Sequence, residues 1–330
     1  MAGAADLLLE SEASGLHQIL PGMVVAFRNR DVRALASDPA IGNVDSDLLA
    51  QMMTFIGYDD PTRGFVPVIS RQVFAFNPPL HRPARRILAR QMTPANRFDA
   101  LASELLESIL ERLPNPFDLC SDLSYRFAAM FFGTLVGLDD DEVNEVQRLA
   151  ETMSAVFLNA PSERQVEQVS TASEEYVELV RTAASRTLER GESHPLAVEM
   201  LTSFRDDLDV IGMSGAPRTA GDFAAGNLFD GFHTAGVGIA NSLTAVIARP
   251  DVMRRIRSDP DIALAAYDEA TRLAPPLILT NHRVLRDTVH DEIEIPAGTL
   301  LVLHWGAANR DPMAFEIRLA SISTDRRAAS

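Results

Sequence analysis

Several short groups in this 330-residue chain have the types and spacing to do chemistry. Glu269 and Arg272 stand three apart, so on a helix they are neighbours on one face and form a carboxylate–guanidinium pair. Taken alone, such a pair reads as a weak, solvated surface bridge. His81 and Arg85 stand four apart. They could present two donors to one carboxylate, or form a basic helix start that faces water. Asn281-His282-Arg283 puts Arg283 at a strand entrance, as an edge charge or an anion ligand. Gly231, Ala235 and Gly238 fall at i, i+4 and i+7, a side-chain-poor stripe that suits tight helix packing or a flat ligand resting on bare backbone.

Other chemistries lack their residues. The seven histidines include no His-x-x-x-His pair, and Cys120 is the one cysteine, with no partner for a metal or a disulfide. There is no Gly-x-Ser-x-Gly elbow. Gly236-Val237-Gly238 lies inside a helical pattern rather than after a strand, so it is not a dinucleotide loop. Cys120 falls in an apolar stretch and is expected to be a buried, inert thiol.

The elements that must position these groups are mostly helical. A strand pair and a helix are expected over residues 17–38, with Asp31 as N-cap, followed by an irregular region over 39–76. Helical patterning takes over at His81. Residues 100–113 are amphipathic, 117–137 read as one buried helix, and 163–189 form a long charged helix closed by Gly191. Asp139 to Glu142 put negative charge at a helix start. Residues 207–218 read as a Gly/Pro loop. A second long helix spans 222–248, with Thr219 and Asp222 as a capping box. The Glu269 helix stops at Pro275-Pro276. Residues 292–295 and 299–303 read as the two strands of a hairpin around Pro296-Ala297-Gly298. The fold class expected is mainly α with a small β portion, in a single domain over 1–330.

Composition narrows the partners. A net charge of -16 argues against nucleic acid and anionic membrane, since both repel an acidic surface. Hydrophobic residues make up 46%, enough for a sizeable core, and no run approaches the roughly 20 apolar residues that cross a bilayer. The lone cysteine and a first segment without a basic start or long apolar run point to the cytoplasm.

Together these groups resemble the cytochrome P-450 superfamily, the heme-thiolate monooxygenases, in its soluble bacterial class. The resemblance runs over about residues 23–315 and rests on motifs in family order. E-x-x-R is Glu269-Ala270-Thr271-Arg272. H-x-x-x-R is His81 to Arg85, followed by the turn Met92-Thr93-Pro94. A-G-x-x-T corresponds to Ala235-Gly236-Val237-Gly238-Ile239. I-P-A-G-T is Ile295-Pro296-Ala297-Gly298-Thr299, and A-N-R-D-P is Ala308-Asn309-Arg310-Asp311-Pro312. It implies a P-450-type fold and heme b, with His81, Arg85 and Arg283 on the propionates and Glu269 and Arg272 as a buried structural pair. Ala235, Gly236, Gly238 and Ile239 would line the oxygen side. A small organic substrate would lie among residues 39–76 and 155–205, and electrons would come from a ferredoxin-type donor.

The chain also departs from the family. Ile239 stands where an alcohol usually helps deliver protons, and Gly238 replaces the preceding acid. The family's iron-ligating cysteine follows Pro312 by some tens of residues, and none follows it here, so no axial metal ligand is expected and the chain is expected to be truncated and inactive as a monooxygenase. Residues 316–330 depart from the family's Phe-x-Asp-Pro-x-Arg continuation. With G or C in third codon positions, a one-nucleotide shift from the codon of Glu316 gives Asp-Pro and, with a favourable choice at further codons, the Asp-Pro-x-Arg continuation, so an out-of-frame tail is expected. A heme-free homologue that binds or activates another enzyme is the alternative reading.

Overall fold

The computed structural model describes residues 15–55, 64–157, 162–211 and 219–315. In chain order the strands are β1 (Leu16–Leu20), β2 (Met23–Ala26), β3 (Ile41–Asn43), β4 (Thr280–Val284), β5 (Thr288–His290), β6 (Ile293–Ile295) and β7 (Leu300–Leu303). The helices of the first half are α1 (Asn29–Ser37), α2 (Ser46–Phe55), α3 (Phe65–Ile69), α4 (His81–Met92), α5 (Asp99–Arg112), α6 (Arg126–Val136) and α7 (Asp140–Met153). They continue as α8 (Glu163–Arg190), α9 (Pro195–Ile211), α10 (Ala220–Ile247), α11 (Pro250–Ser258), α12 (Ala263–Leu273) and α13 (Trp305–Ala308). The fold is mainly α with a small β portion. It clusters into two compact units, residues 44–236 and the two flanking stretches, with the division falling inside α10.

In the unit formed by the flanking stretches, a five-stranded sheet runs in the order β1-β2-β7-β4-β3. The all-apolar strand β7 lies between parallel β2 and antiparallel β4, which suits a central strand. Leu301 and Leu303 bury with Ala26, Val284, Val32 and Leu35, so the sheet and α1 share one core. Residues 292–295 and 299–303 do form strands, but not a hairpin with each other. β6 pairs with β5 in a separate two-stranded sheet, and Gly298, at φ 84, turns the chain toward β7. Asp31 is not the N-cap. Helix α1 begins at Asn29, whose backbone N–H donates to Asp311 at 2.9 Å, and Asp31 sits buried in the first turn against His290 at 3.1 Å. Both partners come from far along the chain, out of reach of local pattern.

The other unit is helical. Its core gathers Phe65, Phe204, Phe223, Phe232 and Tyr176, whose hydroxyl donates to the Ala225 carbonyl at 2.8 Å. The capping box at Asp139–Glu142 forms, and Gly191 closes α8 in the left-handed region. Asp222 lies in the first turn of α10, which starts two residues earlier than expected. Thr219 caps it, and Arg71 and Arg181 converge on its buried carboxylate at 3.3 and 2.5 Å. Four readings change. Residues 39–76 carry β3, α2, α3 and a short 3-10 turn as well as loop, because Leu49, Phe65, Val66 and Val68 turn inward. Residues 117–137 are not one buried helix: Phe117 is 48% exposed, a wide turn spans Leu119–Tyr125, and α6 follows. Cys120 is exposed on that turn, its N–H held by the Asp118 carboxylate, so it is no buried core thiol. The expected loop at 207–218 is helical through Ile211, and residues 212–218 lie outside the described residues.

Gly137 ends α6 at φ 81, and a Cβ there would meet the Thr187 hydroxyl at 1.9 Å. Gly137→Ala therefore combines left-handed backbone with overpacking, and should lower stability by about 2–4 kcal/mol. Urea denaturation checks this, and Thr187→Ala in the same chain should return part of the loss.

Candidate functional site

Helix α12 buries Ala266 and Ala270 and leaves Glu269 and Arg272 on its next face. Their contact is bidentate, with Arg272 Nε 2.7 Å and Nη2 2.6 Å from the two Glu269 oxygens. Both side chains are about a fifth exposed, at 18% and 19%. Arg272 Nη1 donates to the Asn309 carbonyl 37 residues on, and the guanidinium lies over the Phe315 ring at 4.8 Å. Arg310 in turn donates to the Leu273 carbonyl at the end of α12. This is not the solvated bridge that spacing alone suggests. It is a brace that ties α12 to the segment after β7 through fixed donor geometry. In the family that the motifs resemble, a third basic residue from the Phe-x-Asp-Pro-x-Arg continuation is expected to join the pair; this chain departs from that continuation after Phe315, and residues 316–330 lie outside the described residues.

His81 and Arg85 stand on the first turns of α4, whose Ala84 and Ile87 face the core. Arg85 is exposed and His81 half-buried. Burial holds His81 below its ordinary range, and repulsion from Arg85 and then Arg82 pushes it further down. Among the described residues no carboxylate pairs with Arg82, Arg85 or Arg86, so the start of α4 is an exposed positive surface.

Arg283 lies in the other unit. It is the fourth residue of β4, flanked by Gly42 of β3 and Leu300 of β7, inside the sheet rather than at a strand entrance. Its neighbour His282 is committed to Gly42 and Thr280, and burial lowers its pKa.

The stripe on α10 divides. A Cβ on Gly231 would meet the Phe132 ring at 2.7 Å, and one on Gly236 the Tyr125 ring at 2.9 Å, so these glycines admit aromatic rings to the helix backbone. A Cβ on Gly238 would meet only Pro276, at 3.8 Å. Ala235 and Ile239 are half-buried, and the Ser242 hydroxyl one turn on is buried without a hydrogen-bond partner.

Sequence reading passed over two groups. Asp31, His290 and Asp291 bring ligand atoms within 4.8 Å of one another, and Arg30 already bridges the two carboxylates. Asp230, on α10, carries a carboxyl that burial raises to about 6. The signal for it was in plain sight: one acid in the apolar run Phe229-Asp230-Gly231-Phe232.

Two substitutions test these placements. Arg272→Ala leaves Glu269 without its partner in a mostly buried place and should cost about 2–3 kcal/mol, below the 3–5 typical of a fully buried pair. Arg272→Lys keeps the charge, loses the bidentate fork, and should recover only part of that in chemical denaturation. For Asp230 the raised folded-state pKa means that the unfolded chain ionises first as pH rises. Stability is then lost between about pH 4 and 7. Asp230→Asn should therefore be neutral at pH 4 and stabilising by about 2–3 kcal/mol at pH 7.5, from about two pKa units at 1.36 kcal/mol each.

No protein-family model matches the chain. Protein AknT of Streptomyces galilaeus is 30% identical over 233 residues, 67% of this chain and 49% of that protein. The chain thus spans about half the length of that curated relative. Cytochrome P450 107B1 of Saccharopolyspora erythraea is 24% identical over 301 residues, 88% of this chain and 69% of that protein. Among solved structures, ligand-free cytochrome P450 TbtJ1 superposes with a TM-score of 0.76 at 19% identity, covering 98% of this chain and 80% of that one. No helix among the described residues is long and apolar enough to cross a membrane. With the ordered motifs, the bidentate Glu269–Arg272 brace and a shared fold over nearly its whole length, the chain belongs to the cytochrome P-450 superfamily.

Proposed function

We propose that this chain carries the heme-holding frame of a monooxygenase, an oxidoreductase that acts on a small organic molecule with dioxygen. The observation that carries the reading is the start of α4. Arg82, Arg85, Arg86 and His81 stand together there with no described carboxylate among them, and burial first, then repulsion from Arg85 and Arg82, holds His81 below its ordinary range. A carboxylate docked at this point gains charge-assisted hydrogen bonds and relieves that repulsion.

The residues present fit the carboxylate edge of heme b. His81 and Arg85 would take one propionate, and the resemblance alone assigns Arg283 to the set. They do not fit its iron. Cys120 is exposed, with the backbone around it tied to Asp118, and we assign it no part in ligation. In this family, heme supplies oxygen activation with the thiolate donating electron density to iron. No step of that kind is assigned to the residues of this chain. Nor does α10 offer a side-chain proton relay, since Gly238 and Ile239 carry neither acid nor alcohol. The expectation is heme affinity without turnover of its own. A ferredoxin-type donor and the organic substrate would belong to the complete reaction.

The second reading, a heme-free partner or activator of another enzyme, draws support from the Phe132 and Tyr125 rings that fill the places over Gly231 and Gly236. Titration of the purified chain with hemin separates the two. On the first reading heme binds and its reduced carbon monoxide complex lacks the thiolate band. The His81 ring then titrates at higher pH than in the apo-chain, and Arg85→Ala weakens binding by about tenfold or more, the worth of a hydrogen bond between charged groups. A chain that binds no heme, or an Arg85→Ala variant that binds it as tightly as the parent, rules that reading out in favour of the second.

A further inference from the structure

Asp230 faces a cavity of about 200 Å³ within the helical unit. Its walls are Leu88 and Met92 of α4, Phe132 and Leu135 of α6, and Met200 and Phe204 of α9. None of the residues assigned to heme lines it. Its other polar lining residue, Asn227, is already committed: its Oδ1 accepts from Val73 N–H and its Nδ2 donates to the Phe223 carbonyl. The Asp230 carboxyl has no hydrogen bond or ion pair among the described residues, and the residues lining the cavity include no other titratable group.

We infer that this cavity is a binding site for a small apolar amine, its hydrocarbon body against the Leu88, Phe132 and Phe204 walls and its ammonium on the Asp230 carboxylate. Size, walls and charge each narrow the ligand. An apolar cavity of about 150 Å³ holds benzene, so a single ring with a short arm fits here. A neutral hydrocarbon fills the walls but covers the half-buried carboxylate without pairing it, which is costly. A carboxylic acid meets it with like charge. A cationic head both satisfies the oxygens and favours their ionised form. The same pairing explains how the fold tolerates an acid whose burial otherwise raises its pKa to about 6.

Calorimetry on the full chain with benzylamine, toluene and benzoate as probes tests this. At pH 7.5 benzylamine should bind at least tenfold more tightly than toluene, with benzoate undetected. The advantage should shrink as pH falls below 6 and Asp230 takes up its proton. Asp230→Asn, close to isosteric, should abolish the preference for benzylamine while still admitting toluene. Ala224→Leu, which fills the cavity from α10, should block both, with a melting curve to confirm that it folds. If it does not fold, Asp230→Asn alone decides. Benzylamine that binds no better than toluene, that does not bind at millimolar concentration, or that ignores Asp230→Asn overturns the proposal.

Discussion

The sheet-bearing unit depends on how one guanidinium is held. Arg272 uses its fork on Glu269, its remaining nitrogen on the Asn309 carbonyl and its flat face on Phe315, so helix and distant segment are fixed together through one side chain. The next residues carry that constraint on. Asp311, buried and two positions past Asn309, accepts from the N–H of Asn29 and so starts α1. Asp31, in the first turn of α1, reaches His290 at the end of β5. The N-terminal strands and helix are thereby tied to late strands by buried polar contacts as well as by the parallel pairing of β2 with β7.

The helical unit solves a different problem. Its long helix α10 is short of side chains where rings must come close, and Phe132 and Tyr125 lie where Cβ atoms on Gly231 and Gly236 would be. The glycines each cost helix propensity of up to about 1 kcal/mol, offset by aromatic burial. One consequence is a helix that carries Asp230 into an apolar hollow with no counter-ion among the described residues, a local conflict of the kind that marks functional places in otherwise consistent folds.

On the proposed reading, heme affinity rests on features of the helical unit. His81 and Arg85 share the exposed positive start of α4, whereas Cys120 stands on an exposed turn with its N–H held by Asp118. Under that proposal heme affinity and turnover are therefore separate questions.

Much of this could be read from the residues. Periodicity placed α4, α5, α8, α10 and α12 within a few residues, and acidic residues marked the start of α7, because apolar stripes and caps are local properties of the chain. Motif order named the superfamily, because E-x-x-R and H-x-x-x-R keep their spacing wherever the fold needs them. Tertiary structure alone decided matters that rest on distant partners. β6 left β7 for β5 because a strand pairs with whichever edge lies beside it, which alternation cannot report. Cys120 faced outward because a wide turn interrupts the apolar run. Glu269 and Arg272 became a brace because Asn309 and Phe315 arrive from 37 and more residues away. Sequence determines which groups can bond and at what local spacing. Which of them are dry, and whom they meet, follows only from the packing of chain segments that no local pattern connects.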